Sequence, residues 1–291
     1  MSIDLHIHST FSDGTMSPTE LVCLARHRKL SAIAITDHDT TDGIDEAIEA
    51  GGQMGLTVVP GVELSVKHDN INLHLLGYFF DHRQPEFLQA LHKLQEGRLT
   101  RNRRILEVLR QLGIDIELAE LLEIAGPGGQ SGRPHIAQLL IGKGVVKTMD
   151  EAFEIFLGQG GSAYVPRFIF TGAEAISLIH RAGGLAVLAH PQQLEKSTGN
   201  FARIIEDLHR QGLDGIEVYY PTHSKQFRKL LQRLVQKHDL LKTGGSDYHG
   251  AIRPGTTLAG GKNCVVPDQL LVEMTERLAR QRNTFITEVI A

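Results

Sequence analysis

A chain of 291 residues, 41% hydrophobic and 22% charged, carries enough apolar material for a large core, as one large domain or two modest ones. Thirty basic against 34 acidic residues leave a net charge of −4, which gives no global attraction to nucleic acid and too little repulsion for disorder. No apolar run approaches the ~18 residues of a membrane span, the N-terminus lacks a signal-peptide layout, and two distant cysteines, Cys23 and Cys264, argue against disulfides or a thiolate zinc site and fit a reducing cytoplasm.

Short strand-like runs alternate with amphipathic helical stretches, the pattern of an α/β protein. Strands are expected at 2–8, 32–36, 56–63, 72–80, 185–190, 215–219 and 240–245, with helices at 17–29, 42–50, 171–181, 201–211 and 224–238 among those between them. Ser17-Pro18-Thr19-Glu20 and Thr171 with Glu174 are helix-start signals. Seven strands with intervening helices imply a closed or nearly closed barrel with its chemistry at one rim. The link 65–71 is too short for a helical crossover, so the third and fourth strands should form a hairpin and the barrel should be irregular.

Residues 99–167 differ from their flanks. They read as helices at 99–112, 118–124, 134–141 and 149–157, with glycine-rich turns at 126–129 and 158–161. The expected division is a barrel from 1–98 and 168–291 and a helical insertion, 99–167, capping it. Arg98, Arg101, Arg103, Arg104 and Arg110 crowd the start of the insertion, as either a solvated helix face or a substrate contact.

Histidine is abnormally frequent, at 15 residues, and its placement carries the chemistry. In Asp4-Leu5-His6-Ile7-His8, strand alternation puts His6 and His8 on one face, roughly 7 Å apart, and Leu5 and Ile7 on the other. Ser12-Asp13-Gly14 follows in the first loop. Thr36-Asp37-His38-Asp39-Thr40 ends the second strand, Gly61-Val62-Glu63 the third, Ala189-His190-Pro191 the fifth and Gly245-Ser246-Asp247-Tyr248-His249 the seventh. His74 lies in the fourth strand and Glu217 in the sixth. Six strand-associated histidines beside carboxylates would be costly without partners, and metal ions explain all six together. The other nine histidines read as surface or core-edge residues, His135 excepted.

The segments DLHIHSTFSDG at 4–14, TDHDT at 36–40, GVE at 61–63, AHP at 189–191 and GSDYH at 245–249 resemble the ordered motifs of the PHP (polymerase and histidinol phosphatase) superfamily. That resemblance implies a distorted (β/α)7 barrel holding three divalent ions, manganese first, with zinc or iron as alternatives. By motif, His6, His8, Glu63 and Asp247 would hold one ion. Glu63 would bridge to a second, held also by His74 and His190, and Asp13, His38 and His249 would hold the third. Asp4 and Asp39 would orient imidazoles, and Asp37 and Glu217 would do the same or be rim residues. Gly132-Arg133-Pro134-His135 resembles a motif in the insertion of the stand-alone nucleotide phosphatase and exonuclease branch. Arg133 and His135, and next Arg101 and Asn102, are therefore the substrate-contact candidates. Tyr164, Phe168 and Phe170 could flank a base but read first as core.

No Ser-His-Asp arrangement, GxSxG, Walker lysine loop or dinucleotide fingerprint is present, which leaves metal-activated water as the nucleophile. The resemblance implies removal of the 3'-phosphate from 3',5'-nucleoside bisphosphates, with 5'-to-3' trimming of short 5'-phosphorylated RNA as a second activity. Histidinol phosphate hydrolysis, a module of a DNA polymerase assembly, and a non-catalytic metal-binding module are the alternatives. A small nucleotide is the expected partner, with no membrane and no obligate protein partner.

Overall fold

The structure, a computed structural model, describes residues 2–69, 71–126, 128–194 and 200–290, with the side chains at 262, 263 and 283–290 excepted. Asn70 and Pro127, within two of the expected turn segments, lie outside the described residues.

Seven strands build the barrel wall: β1 (Ser2–Ile7), β2 (Leu30–Ile35), β3 (Thr57–His68), β4 (Ile71–Tyr78), β6 (Leu185–Leu188), β7 (Gly215–Tyr219) and β8 (Leu241–Gly244). Two short strands pair outside this ring, β5 (Phe170–Thr171) with β3 and β9 (Val266–Pro267) with β1. Neighbours in the ring run parallel except at β4, which is antiparallel to both β3 and β6. The ring closes beyond β8, where Tyr248 bridges in parallel to Ile7. This is the irregular (β/α)7 barrel the motifs imply, including the β3–β4 hairpin.

The hairpin matters for the site. With Ser65 opposite His74 and Glu63 opposite Leu76, the N-terminal half of β4 lies at the rim formed by the C-terminal ends of the other strands. A mid-strand histidine therefore reaches the same rim as the strand-end motifs.

Strict alternation fails in β1. The β1–β2 register shifts between Asp4 and Ile7, and Leu5 and Ile7 part company. Leu5 packs with Ile3, Ala32, Ala34 and Tyr78, whereas Ile7 packs with Leu21, Ile33 and Ile35. Such irregularities beside functional sites re-aim side chains, here those of His6 in β1 and His8 just past it.

Helices α1 (Pro18–His27) and α2 (Ile44–Met54) cover β1 and β2. Helices α7 (Gly172–Arg181), α8 (Phe201–Arg210) and α9 (Lys225–Lys237) cover the opposite side. Capping boxes at Ser17/Glu20 and Thr171/Glu174 start α1 and α7 as the sequence indicates. Helix α3 (Pro85–Gln111) begins well before 99 and runs unbroken through 98/99. Its first half packs Phe87, Leu91 and Leu94 on the barrel core. Its second half packs Ile105, Leu106 and Leu109 on a separate core with α4 (Leu118–Ala125), α5 (Arg133–Gly142) and α6 (Met149–Ala152), which continues as a π-helical turn over Phe153–Leu157. The last helix, α10 (Gln269–Ile290), was not among the expected elements; Leu270, Met274 and Leu278 pack against Ile3, Leu5 and Leu241. No described helix is long and apolar enough to cross a membrane.

Candidate metal centre

The strands and the turns that follow them deliver nine side chains to one rim. β1 supplies His6, His8 follows just past its end, the next loop supplies Asp13, and the turn after β2 supplies His38. Glu63 comes from β3, His74 from β4, His190 from the end of β6, and Asp247 and His249 from beyond β8. Two glycines permit the close approaches. A Cβ on Gly245 would stand 2.3 Å from the Cβ of His6, and one on Gly14 2.1 Å from the carbonyl oxygen of His8. With Gly245 in place, Asp247 donates its N–H to the carbonyl of His6 at 2.8 Å. Asp39, His190 and Asp247 have φ of 58°, 26° and 51°, a clustering of strained backbone typical of functional sites.

Glu63 is the hub. Its Oε2 lies 3.3 Å from His6 Nε2, 3.2 Å from His8 Nε2 and 3.1 Å from His38 Nδ1, and its Oε1 lies 2.7 Å from His74 Nδ1 and 2.9 Å from His190 Nε2. Three groups of donor atoms, each within 4.8 Å of one another, emerge: His6, His8, Glu63 and Asp247; His8, Asp13, His38 and His249; His38, Glu63 and His74. His190 joins the last, with Nε2 3.3 Å from His74 Nδ1. All nine side chains named from the motifs are thus brought together, and His8 and His38 each border two groups rather than one.

These donors fit divalent cations. Nε2 of His6, His8 and His249, Nδ1 of His38, Oδ1 of Asp13 and Oε2 of Glu63 are buried without a hydrogen-bond partner, a cost a metal removes. Imidazole and carboxylate donors without thiolate suit manganese, iron or zinc. Charge balance says the same. Burial alone would lower His6 and His8, yet Glu217, Glu63 and Asp247 raise His6 well above its ordinary range, and the carboxylates of Asp247 and Glu63, each 3.2 Å from His8 Nε2, hold His8 at about 9. Burial, with His8 and His74 nearby, lowers His38 to about 3 against the pull of Glu63 and Asp13. The buried carboxylates draw protons that metal ions would displace.

His8 binds its proton more tightly in the folded protein than at the ordinary value of about 6.5. Its contribution to the metal-free protein is complete below about 6.5 and is lost as pH rises through about 9. Denaturation of chelated protein should show falling stability over that window, and protein loaded with divalent metal should not follow it. Parallel curves would mean that protons do not substitute for cations here.

Around this centre, Glu217 Oε1 sits 2.9 Å from His6 Nδ1, and its Oε2 accepts the His190 N–H at 2.7 Å. Glu217 therefore orients two of the imidazole-bearing residues. Asp37 accepts from Ser9 and Ser12, both hydroxyls at 2.5 Å, and fixes the loop that carries Asp13. Two expectations need correction. Asp4 accepts backbone N–H groups of Ser246 and Ala259, not an imidazole, because it faces the turns after β8. Asp39 also touches no imidazole; it pairs with Arg98 and, at 2.7 Å, with Arg167, and accepts the Ser65 N–H at 3.0 Å. Both arginines are about nine-tenths buried. Asp39→Asn should therefore destabilise the protein by about 3–5 kcal/mol, the cost of stranding a buried ion-pair partner. Urea unfolding measures it, and a loss below about 1 kcal/mol would show the pairs to be dispensable.

Tyr220 and Arg253 had no sequence signal. Tyr220 donates to Asp247 Oδ2 at 2.8 Å and Arg253 reaches the same oxygen at 2.5 Å. Neither belongs to a strand-end motif, and only the folded chain brings them to Asp247.

Beside His74 opens a cavity of about 310 Å³ that also takes in Arg101, Arg133, Tyr164 and Arg167. Arg101 is buried, with its Nε 2.9 Å from Asn102 Oδ1. Burial and the neighbouring Arg98, Arg133 and Arg167 push Arg101 well below the ordinary arginine range, and Asp39 offsets only part of this. Arg133 donates to the carbonyl of Leu157 at 3.1 Å and lies over the Phe153 ring. Among the described residues neither Arg101 nor Arg133 has a carboxylate partner within 4.0 Å. Asn102 and His135 stand one step behind. Asn102 donates to Ser131, and His135 Nδ1 accepts the Gly132 N–H at 3.0 Å, fixing the start of α5. Phe168, read as core, is 51% exposed.

Comparison with known proteins agrees with this geometry. A 5'-3' exoribonuclease of Haemophilus influenzae is 36% identical over 272 residues, covering 92% of this chain and 96% of that protein. A 3',5'-nucleoside bisphosphate phosphatase of Chromobacterium violaceum is 34% identical over 248 residues, covering 85% and 87%. The crystal structure of a Bifidobacterium adolescentis protein classed as a metal-dependent phosphoesterase superposes with a TM-score of 0.85 at 34% identity, covering 94% of this chain and 96% of that one. The model of the PHP domain matches residues 4–253, and the chain belongs to the PHP domain family.

Proposed function

We propose that the protein is a metal-dependent phosphatase that removes the 3'-phosphate of 3',5'-nucleoside bisphosphates, releasing a 5'-nucleotide and phosphate. One observation carries the reading. Two guanidiniums without carboxylate partners, Arg101 and Arg133, face the same cavity as His74 of the metal centre. A substrate with one phosphoryl group at the rim and a second anionic group in the cavity satisfies both at once. Relatives named for this activity and for exonucleolytic RNA cleavage support it.

His6, His8, Glu63 and Asp247 would hold one ion, Glu63, His74 and His190 a second, and Asp13, His38 and His249 a third, manganese being the first choice. When bound, such ions polarise phosphoryl oxygens, activate water and neutralise the leaving group. The chain does the rest. Glu217 fixes the orientation of His6, Asp37 fixes the loop of Asp13, and Arg101 and Arg133 hold the remote phosphate. Asn102 and His135 position the segments bearing these arginines, and residues 99–167 act as the cap over the rim. The same placement suits 5'-to-3' trimming of short 5'-phosphorylated RNA, since a phosphodiester on the 3' side of a 5'-phosphorylated nucleotide presents the same two groups.

The test is a parallel assay of adenosine 3',5'-bisphosphate, histidinol phosphate and 5'-phosphorylated oligonucleotides at equal concentration with metal-loaded protein. The bisphosphate should turn over fastest, with the oligonucleotides second. Preference for histidinol phosphate would overturn the reading, and no turnover of any would favour a non-catalytic module.

A further inference from the structure

A second space shares lining residues with the cavity beside His74. Arg101, Pro166 and Arg167 line both the cavity and an open groove of about 570 Å³ between α3 and the end of the insertion. The groove adds Lys93 and Arg104 from α3, both exposed, against a single carboxylate, Glu96. No ion pair within 4.0 Å ties Lys93 or Arg104 to a carboxylate among the described residues. Phe168 lies on its floor, 51% exposed. A hydrogen-bond and ion-pair vacancy of this kind suits an anion rather than an apolar segment of another protein.

Resting on the bisphosphatase reading, we propose that this groove receives what extends the substrate's 5'-phosphate, so that the substrate class includes 3'-phosphonucleotides bearing a 5'-diphosphate. The residues shared by the two spaces suggest the order of groups in this proposal. The 3'-phosphate lies at the metal centre, the 5' α-phosphate against Arg133 and the inner side of Arg101, and the β-phosphate past Arg101 toward Arg104 and Lys93. A group esterified to that β-phosphate lies over Phe168. The reaction is unchanged: water adds to the 3'-phosphorus, the bond to the 3'-oxygen breaks, and the 5'-diphosphate leaves intact on the nucleoside.

Two measurements test it. First, kcat/KM of the metal-loaded enzyme is compared for adenosine 3',5'-bisphosphate and 3'-phosphoadenosine 5'-diphosphate. The diphosphate should be hydrolysed at its 3'-phosphate within about tenfold of the bisphosphate, and the K93A/R104A double variant should lose about tenfold on the diphosphate alone. Second, calorimetry compares binding of adenosine 5'-diphosphate and adenosine 5'-monophosphate, neither of which has a 3'-phosphate. The wild type should favour the diphosphate about tenfold and the double variant should not. Equal affinity for the two nucleotides in the wild type, or equal losses on both substrates in the variant, would overturn the groove. If neither 3'-phosphate is cleaved while the diphosphate preference persists and depends on Lys93 and Arg104, the groove stands and the bisphosphatase reading fails.

Discussion

Glu63→Gln is expected to lose more than one equivalent of metal and to lower phosphatase activity by more than about a hundredfold. The reason lies in how many partners one carboxylate serves. Its two oxygens stand between 2.7 and 3.3 Å from five imidazoles, those of His6, His8, His38, His74 and His190. The substitution keeps the shape, so the buried packing around it survives, but it removes the charge that two donor groups share. It also turns one oxygen into an NH2, a donor that no metal ion can use. Elemental analysis of the purified variant reads the loss directly. Retention of full metal content would show that Glu63 does not bridge, and retention of activity with partial content would place the chemistry elsewhere on the rim.

The second large effect concerns the cap. Arg133→Ala should cut kcat/KM for adenosine 3',5'-bisphosphate by at least tenfold, because a paired hydrogen bond from a guanidinium to phosphate is worth about 1.5–3 kcal/mol. Arg101→Ala should do at least as much, since Arg101 is the more deeply buried of the two. An aryl phosphate, which has no second phosphate, should be hydrolysed nearly as before, and metal content should be unchanged. The preference for bisphosphate over 3'-monophosphate should shrink in step. Equal losses on all substrates would instead mean that the arginines serve the reacting phosphoryl group or the fold. Arg133 has a structural tie of its own, the hydrogen bond to Leu157, so a thermal melt of each variant belongs with the kinetics.

What the sequence conveys well is whatever sits at strand ends. Histidines and carboxylates just past apolar runs announce a rim, and the short link before β4 announces the one reversed strand that carries His74 inward. What it conveys poorly is any partner chosen by tertiary folding. Asp39 reads as a support for its neighbour His38, yet its partners are Arg98 and Arg167, far along the chain. Both become neighbours only when α3 and the end of the insertion fold back over the rim. Tyr220 and Arg253 converge on Asp247 in the same way. The shift within β1 is hidden because the letters Asp4 to His8 alternate cleanly while the pairing does not. Helix α10 follows the last motif, and its role is visible only from the apolar barrel face it meets.

On the proposed reading, one substrate spans the metal centre and the arginine-lined cavity. The most direct test is the ratio of kcat/KM for adenosine 3',5'-bisphosphate to that for adenosine 3'-monophosphate with metal-loaded wild-type protein, with the nucleotide products identified. A ratio of about ten or more, with adenosine 5'-monophosphate and phosphate as the bisphosphate products, is the expected result. A ratio near one, or release of the 5'-phosphate to leave adenosine 3'-monophosphate, would contradict it.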